Sequence, residues 1–252
     1  MGKRSTRVIP QGIARALPGW KFLRAASGKF GLLLVALVAL ILLSPLLIQN
    51  ERWAAATSLC SASVLVAGLH AAKPGRGILA LGLALALLDF GIGRLAMSLG
   101  TRWLLVCEAL LWLTTLLYVT ATILEAIFEI PMVTVETLQA ALCVYLLIGL
   151  LGTFVLTLIE LTLPGSFEAT GGVSISWGAG RSSATSLMQM LSLSYAALST
   201  VGSTAISPAN AFASNAVSLE AMVGQIYLVV VVARLVGIES GSAMQPTRET
   251  AA

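Results

Sequence analysis

Apolar residues form long uninterrupted runs in this chain of 252 residues, and short polar clusters separate the runs. A bilayer core of about 30 Å requires roughly 20 apolar residues in a helix. Six runs reach about that length and predict six membrane-spanning helices. They lie at residues 30–48, 53–70, 78–99, 103–128, 135–163 and 214–238. The pattern therefore predicts an all-α membrane protein.

The composition agrees with that pattern. Apolar residues make up 58% of the chain and charged residues only 10%, whereas a soluble domain typically carries about a quarter charged residues. The apolar runs also consume most of the chain, so no substantial soluble domain is expected.

The basic residues predict the orientation of the chain. Seven of the fifteen precede the first apolar run, and they are Lys3, Arg4, Arg7, Arg15, Lys21, Arg24 and Lys29. With the amino terminus inside, eleven basic residues fall on the cytoplasmic side and three on the outer side, which fits the positive-inside rule. We therefore expect a multi-pass protein of the cell (inner) membrane with both termini cytoplasmic. Basic residues do not form a patch with interleaved aromatics elsewhere, so nucleic acid is not an expected partner.

The stretch between the fifth and sixth runs has a different character. Residues 165–185 are rich in Gly, Ser and Ala and predict an extracellular turret. Residues 186–199 predict a helix too short to cross a bilayer, and a non-helical segment, 200–204, follows it before Pro208. Non-helical backbone at membrane depth is tolerated only where it lines water or is buried in protein. This order predicts a re-entrant pore helix followed by a filter loop.

Three segments of the second half carry a family resemblance. They read VETLQAALCVYLLIGLLGTFVLTLIELTLPGSF (135–167), STVGSTAISP (199–208) and SLEAMVGQIYLVVVVARLVGI (218–238). From about Val133 onward, over roughly 105 residues, the chain resembles the compact bacterial ion-channel family related to potassium channels. That family has a PGSF-like turn, a TTVGYGDITP loop and an LEA-x-x-GQ-Y-LxVLVARLVG helix. The first four predicted spans match it only in number and hydrophobicity.

The resemblance implies four divisions of the chain. Residues 1–29 would be a basic cytoplasmic segment that can lie on membrane lipid, with Trp20 and Phe22 as anchors. A four-helix membrane domain would span 30–130 and a pore domain 131–238, and 239–252 would be a short cytoplasmic tail. Arg102, at the start of the fourth span, is the only basic residue there. A voltage sensor needs repeated arginines, so this span is not expected to be one.

The resemblance also implies a homotetramer in which four loops surround one axis. The filter of such a pore consists of backbone carbonyl oxygens and a threonine hydroxyl, which replace the water shell of the ion. Thr200 would supply the innermost hydroxyl and carbonyl, and Val201 and Gly202 the next carbonyl rings, with Ser203 and Thr204 completing the filter. The permeant ion would be K⁺ or Na⁺, and no cofactor, other metal or protein partner is expected.

The outer half of the filter departs from the family pattern. The family continues Tyr-Gly-Asp where this chain has Ser203-Thr204-Ala205. Glycine serves there because it adopts a positive φ at no steric cost, and a β-branched residue such as Thr204 does so only as an outlier. We therefore expect weak selectivity.

Four further residues are predicted to act around the filter. Ser199 ends the short helix, whose negative dipole end would favour a cation. Tyr195 and Glu220 are expected to support the filter, with Glu220 either accepting hydrogen bonds from the loop backbone or facing solvent. Gly224 is a candidate gating hinge, and close helix packing is the alternative for it.

Ionisable residues within the apolar runs allow two interpretations. Asp89, Arg94 and Glu108 are either an ion or proton relay, or Arg94 and Glu108 form a pair that holds two helices together. His70, the only histidine, is either an acid sensor or an interfacial anchor. The cysteines, Cys60, Cys107 and Cys143, are expected to be free thiols.

No catalytic constellation is visible, so an enzyme is not expected. The leading hypothesis is a monovalent cation channel. A non-conducting pore homologue or regulatory membrane subunit is one alternative. A cation transporter is another, although such proteins carry several pore loops in one chain and a single loop is visible here.

Overall fold

In the computed structural model, the described residues are 29–48, separate helical positions between 84 and 95, 101–129, 134–169, 173–175, 177, 181–202 and 204–243. They contain five long helices. These are α1 (Lys29–Ile48), α2 (Arg102–Glu129), α3 (Val135–Thr162), α4 (Arg181–Leu198) and α5 (Ala211–Ala243). Three stretches are long and apolar enough to cross a membrane, at Arg102–Phe128, Val135–Thr162 and Ala211–Arg234, and the apolar part of α1, Phe30–Leu43, is shorter. The protein therefore has the makeup of a multi-pass membrane protein.

The observed helices can be compared with the six predicted spans. Helices α1, α2 and α3 match the first, fourth and fifth spans to within one residue at each end. Helix α5 extends the sixth span at both ends, and α4 begins five residues before the predicted short helix. The second span, 53–70, lies outside the described residues, and the third, 78–99, is described only at scattered helical positions. The described part of the chain thus shows five long helices rather than six spans and a short helix.

The prediction of an all-α fold is wrong in one respect. The described residues also form a small antiparallel sheet of β1 (Phe167–Ala169), β2 (Val173–Ser174) and β3 (Ile206–Pro208), in the order β2-β1-β3. Two of these strands lie in the segment predicted as a turret. They form because the backbone polar groups of this segment need partners, and because Phe167 and Ile206 are both buried.

Helix α3 is the centre of the bundle, since it contacts each of the other four helices. Trp112 of α2 stacks on Phe154 of α3 with their ring planes within 2° of parallel and their centroids 5.4 Å apart. Fully buried residues of three helices pack around the same region: Leu33 and Leu37 of α1, Ile123 of α2, and Cys143, Val144 and Leu147 of α3. Burial on several sides explains why α3 is apolar around most of its circumference.

Local signals define both ends of α3. At its start the Thr134 hydroxyl accepts a hydrogen bond from the Thr137 N–H at 3.2 Å, and the Thr137 hydroxyl accepts from the Thr134 N–H at 3.4 Å. This reciprocal cap satisfies two donors that the helix leaves unpaired. At its end the chain turns at Pro164 and Gly165, and Gly165 has a φ of +79°, which glycine adopts without steric cost.

Interhelical contacts show how α1, α2, α3 and α5 run relative to one another. At one end of the bundle Arg102 of α2 donates to the Glu160 carbonyl of α3 at 3.4 Å. Towards the other end the Cys143 thiol donates to the Phe30 carbonyl at 3.4 Å. Arg234 of α5 donates to the Phe128 carbonyl at 2.5 Å and lies 4.4 Å from the centroid of the Phe128 ring, a cation–π distance. The start of α1 and the last turns of α5 therefore lie towards the same end of the bundle.

A buried carboxylate shapes the turn after α3. Glu160 is 1% exposed. Its two oxygens accept hydrogen bonds from the N–H groups of Gly165 and Phe167, each at 2.9 Å. The side chain thus pairs the buried N–H of Phe167, which would otherwise have no partner, together with the N–H of the exposed Gly165, and it holds β1 against the end of α3.

We expect Glu160→Ala to lower the free energy of unfolding by roughly 1–3 kcal/mol, because the buried N–H group of Phe167 loses its acceptor. Glu168→Ala is the matched control, since Glu168 lies eight residues away in β1 and is exposed. Thermal unfolding of the detergent-purified variants measures the difference. Equal melting temperatures for the two variants would show that Glu160 does not hold the turn.

Candidate functional site

The segment after α4 has a defined helix-ending geometry. The Thr200 N–H donates to the Ala197 carbonyl and the Val201 N–H to the Ala196 carbonyl, both at 2.9 Å. This pair of bonds is a Schellman motif, in which the first residue beyond the cap adopts a left-handed conformation. That residue is Thr200, with a φ of +59°. Glycine is usual at this position, so a β-branched residue there carries backbone strain.

The same hydrogen bonds determine where the carbonyl groups point. The N–H groups of Thr200, Val201 and Gly202 all donate back to the last turn of α4. In each peptide unit the carbonyl points opposite to the N–H, so the carbonyls of residues 199–201 face away from the helix. The sign of φ is positive at Thr200 and Gly202 but not at Val201, and such alternation turns successive N–H groups to one side.

The residues that carry these carbonyl groups are exposed. Thr200, Val201 and Gly202 are all exposed, and no described residue donates a hydrogen bond to the carbonyl oxygen of Thr200 or Val201. The Thr200 hydroxyl donates to the Ser199 carbonyl at 2.7 Å, which leaves the lone pairs of the hydroxyl free. The turn therefore presents several oxygen atoms that can coordinate a cation. Among the described residues, His, Cys, Asp and Glu side chains do not form a group of three that could hold a metal ion.

The outer end of the segment connects to the sheet. Ser203 lies outside the described residues, and the Thr204 hydroxyl donates to the Ile206 carbonyl at 2.5 Å. Strand β3 then pairs with β1, and Ile206 lies opposite Ala169. Thr204 thus lies in a local turn that leads into the sheet.

A second link joins the end of this segment to the turn after α3. The Ala209 N–H donates to the Ser166 carbonyl at 2.7 Å, and the Asn210 amide donates to the Ser166 hydroxyl at 2.9 Å. Asn210 also caps α5, because its side-chain oxygen accepts from the Ala213 N–H at 2.8 Å. The ends of α3 and β3 and the start of α5 are therefore held together at one point.

Tyr195 supports α4 rather than touching the turn. Its hydroxyl donates to the Leu146 carbonyl of α3 at 2.7 Å. Its ring lies against Gly149, where a Cβ atom would overlap the ring. Ser199 stays local, since its N–H and hydroxyl both donate to the Tyr195 carbonyl, at 3.0 and 2.6 Å.

Glu220 contacts the short helix through a side chain and not through the loop backbone. One of its carboxyl oxygens is hydrogen-bonded to the Ser194 hydroxyl of α4, and that hydroxyl also lies 2.5 Å from the Gly149 carbonyl of α3. The other oxygen is buried, and no described residue forms a hydrogen bond with it. The carboxyl group lies against Gly152, where a Cβ atom would overlap it. Glu220 thus joins α5 to α4 at a point where α3 leaves room.

Gly224 packs closely against the end of α4. A Cβ atom there would lie 2.6 Å from the Leu198 carbonyl oxygen and 2.8 Å from a Leu198 side-chain methyl group. The structure therefore shows the close packing that was the alternative for Gly224, and the hinge stays a prediction. Of the intramembrane ionisable residues, Glu108 lies in α2, whereas Asp89, Arg94 and also His70 fall outside the described residues.

Several contributing residues were missed from the sequence. They are Tyr145, Gly149, Gly152, Glu160 and Ser194. The sequence did carry a signal for Gly149 and Gly152, which are three positions apart. Residues at this spacing lie on the same helix face, and small residues there permit another helix to approach closely. Neither Ser194 nor Tyr145 has a sequence feature that distinguishes it from an ordinary helix residue.

Comparison of the chain with known proteins found no matching family model, no matching curated protein and no matching solved structure.

We expect Gly152→Ala to destabilise the protein by about 1–3 kcal/mol, because the added methyl group overlaps the Glu220 carboxyl, which must then leave its hydrogen bond with the Ser194 hydroxyl. Gly237→Ala in α5 is the control, since nothing lies within 4 Å of a Cβ atom there and helix propensity alone favours alanine. Melting temperature in detergent measures both effects.

The double variant Gly152→Ala with Glu220→Ala tests the cause. Because it removes the group that the methyl overlaps, it should be more stable than Gly152→Ala alone. If the double variant is the less stable of the two, the overlap is not the source of the loss.

Proposed function

We propose that the protein is a homotetrameric channel for monovalent cations and that residues 200–204 form its filter. The observation that carries the proposal is the turn after α4, whose residues are exposed and whose carbonyl groups face away from the helix. Rings of backbone carbonyls that replace the hydration shell are the basis of cation filters. The family resemblance of residues 135–167, 199–208 and 218–238 supports the same assignment.

The order of the elements supports a pore loop. Helix α4 has 18 residues and is about 27 Å long, and it lies between two longer apolar helices in the chain. It packs against both α3 and α5. Non-helical backbone beside such helices must line water or be buried in protein, and the turn is exposed in the single chain. A water-filled axis shared by several copies satisfies this requirement.

The surface of α5 supports assembly. Its inward stripe meets α3 and α4 through residues that include Glu220, Gly224 and Tyr227. Its other faces are apolar and exposed, at Phe212, Leu219, Met222, Ile226 and Val229. Lipid covers part of such a surface, and symmetric contact with further copies of the chain covers the rest. In a tetramer this contact brings together the turn after α4 of each of the four copies.

The orientation is part of the proposal. The start of α1 and the last turns of α5 lie towards the same end of the bundle, and the positive-inside rule assigns that end to the cytoplasm. The turn after α3, where Ser166 is linked to Ala209 and Asn210, then lies at the outer side of a cell (inner) membrane, and the end of α4 lies deeper, at the level of Tyr145.

A non-conducting homologue or regulatory subunit is the second candidate. The departure at Ser203-Thr204-Ala205 favours it, together with the Thr204 hydroxyl bond to Ile206, because both alter the outer half of the filter. The inner half keeps the oxygen atoms of Thr200 and Val201. A weakly selective filter is therefore the form of the channel that we propose.

Reconstituted liposomes test the proposal directly. We expect the purified protein to pass K⁺, Rb⁺ and Na⁺ down their gradients, with K⁺ favoured only weakly because the outer coordination rings are altered. Empty liposomes and liposomes with heat-denatured protein are the controls. Intact tetramers that pass none of the three ions would instead identify the non-conducting homologue, and intact monomers would refute the assembly.

The outer filter can be tested by the triple substitution Ser203→Tyr, Thr204→Gly and Ala205→Asp. Glycine at 204 permits a positive φ without a steric cost, so the outer rings can form and the K⁺/Na⁺ flux ratio should rise, on the order of tenfold, for about 1.4 kcal/mol of added discrimination. Thr204→Gly alone should give part of the gain. An unchanged ratio would show that selectivity is not determined at these positions.

A further inference from the structure

The last four carbonyl groups of α4 find their hydrogen-bond donors in two different places. The carbonyls of Tyr195, Ala196 and Ala197 accept from N–H groups of the following turn, residues 199–202. The Leu198 carbonyl accepts from the Tyr145 hydroxyl of α3 at 3.2 Å. Among the described residues, the Leu198 carbonyl is the only one of these four whose donor belongs to another helix.

The Leu198 carbonyl also touches α5. A Cβ atom at Gly224 would lie 2.6 Å from it, so α5 approaches this oxygen as closely as glycine allows. Leu198 itself is fully buried. Helices α3, α4 and α5 therefore meet at a single peptide group, two residues before the left-handed Thr200.

Tyr145 is itself held in place by α5. Its ring centroid lies 6.2 Å from that of Tyr227, with the ring planes tilted by 32°, within the range of favourable aromatic pairs. The Tyr227 hydroxyl donates to the Ala141 carbonyl one helical turn before Tyr145, at 2.7 Å. The Tyr145 phenol is therefore oriented by the contact of the two rings, which does not require the Tyr227 hydroxyl, as well as by its own hydrogen bond.

We propose that Tyr145 is a positioning residue for the filter and that its hydroxyl contributes to ion selectivity by fixing the Leu198 peptide. This inference rests on the proposed channel function. The chain from Leu198 to Thr200 is only two residues long, and Thr200 holds a strained φ that its surroundings must maintain. A shift of the Leu198 carbonyl is therefore transmitted to the oxygen atoms of Thr200 and Val201.

Three tyrosines of this region form a matched set. Each donates its hydroxyl to a backbone carbonyl: Tyr145 to Leu198, Tyr195 to Leu146, and Tyr227 to Ala141. Replacement by phenylalanine removes one such hydrogen bond in each case and keeps the ring. Only the Tyr145 bond ends on the peptide that leads into the filter. The set therefore separates an effect on the filter from a general loss of stability.

The experiment measures the K⁺/Na⁺ flux ratio of Tyr145→Phe, Tyr195→Phe and Tyr227→Phe in liposomes, with the melting temperature of each variant. We expect Tyr145→Phe to lower the ratio by about two- to fivefold, the effect of one net hydrogen bond. The other two variants should keep the wild-type ratio even where their melting temperatures fall as far. A ratio unchanged in Tyr145→Phe, or lowered equally in all three variants, would overturn the positioning role.

A second variant covers the case in which Tyr145→Phe does not assemble. Incorporation of 3-fluorotyrosine at position 145 keeps the ring and makes the hydroxyl a stronger donor, so the K⁺/Na⁺ ratio should move above the wild-type value. No movement there would count against the proposal. Wild-type protein that carries no ion would refute the channel function itself, whereas wild-type flux with an unresponsive Tyr145 refutes only the inference made for this residue.

Discussion

The candidate site depends on the hydrogen bonds that three consecutive N–H groups donate to the last turn of α4. Because Thr200, Val201 and Gly202 donate backwards, the carbonyls between them face outwards and are available to a cation. This requires a left-handed residue directly after the helix, and the chain places a threonine there at a φ of +59°. The surrounding helices must hold that conformation, because threonine alone disfavours it.

Much of the remaining structure can be understood as the support of this turn. Helix α3 provides room for α4 and α5 at Gly149 and Gly152. At the other end of the turn, β3 pairs with β1, and β1 is held by the Glu160 carboxylate. The turn is thus anchored at its start by packed helices and at its end by a small sheet.

Several features could be predicted from the sequence because they depend on local physics. A helix of about 20 apolar residues is dictated by the thickness of the bilayer, so α2 and α3 were located to within one residue. The short helix and the turn after it were also expected. The sheet was not, because strands of two or three residues have no readable alternation and form only when Phe167 and Ile206 are buried together. Glu220 was expected either to accept from the loop backbone or to face solvent, and it contacts the Ser194 hydroxyl instead, since helix packing decided which partner lay within reach.

The sequence by itself determined that the chain has the makeup of a multi-pass membrane protein, where α1, α2, α3 and α5 lie, and which segment breaks the helical pattern. These properties follow from hydrophobicity, length and helix-ending residues, which act over a few turns of chain. Only the tertiary structure decided that Thr200 carries the left-handed conformation, that Glu160 closes the turn after α3, and that Tyr145 reaches Leu198. The contact between Tyr145 and Leu198 joins residues 53 positions apart in the chain. Such contacts depend on how the side chains of different helices share the limited space around α3.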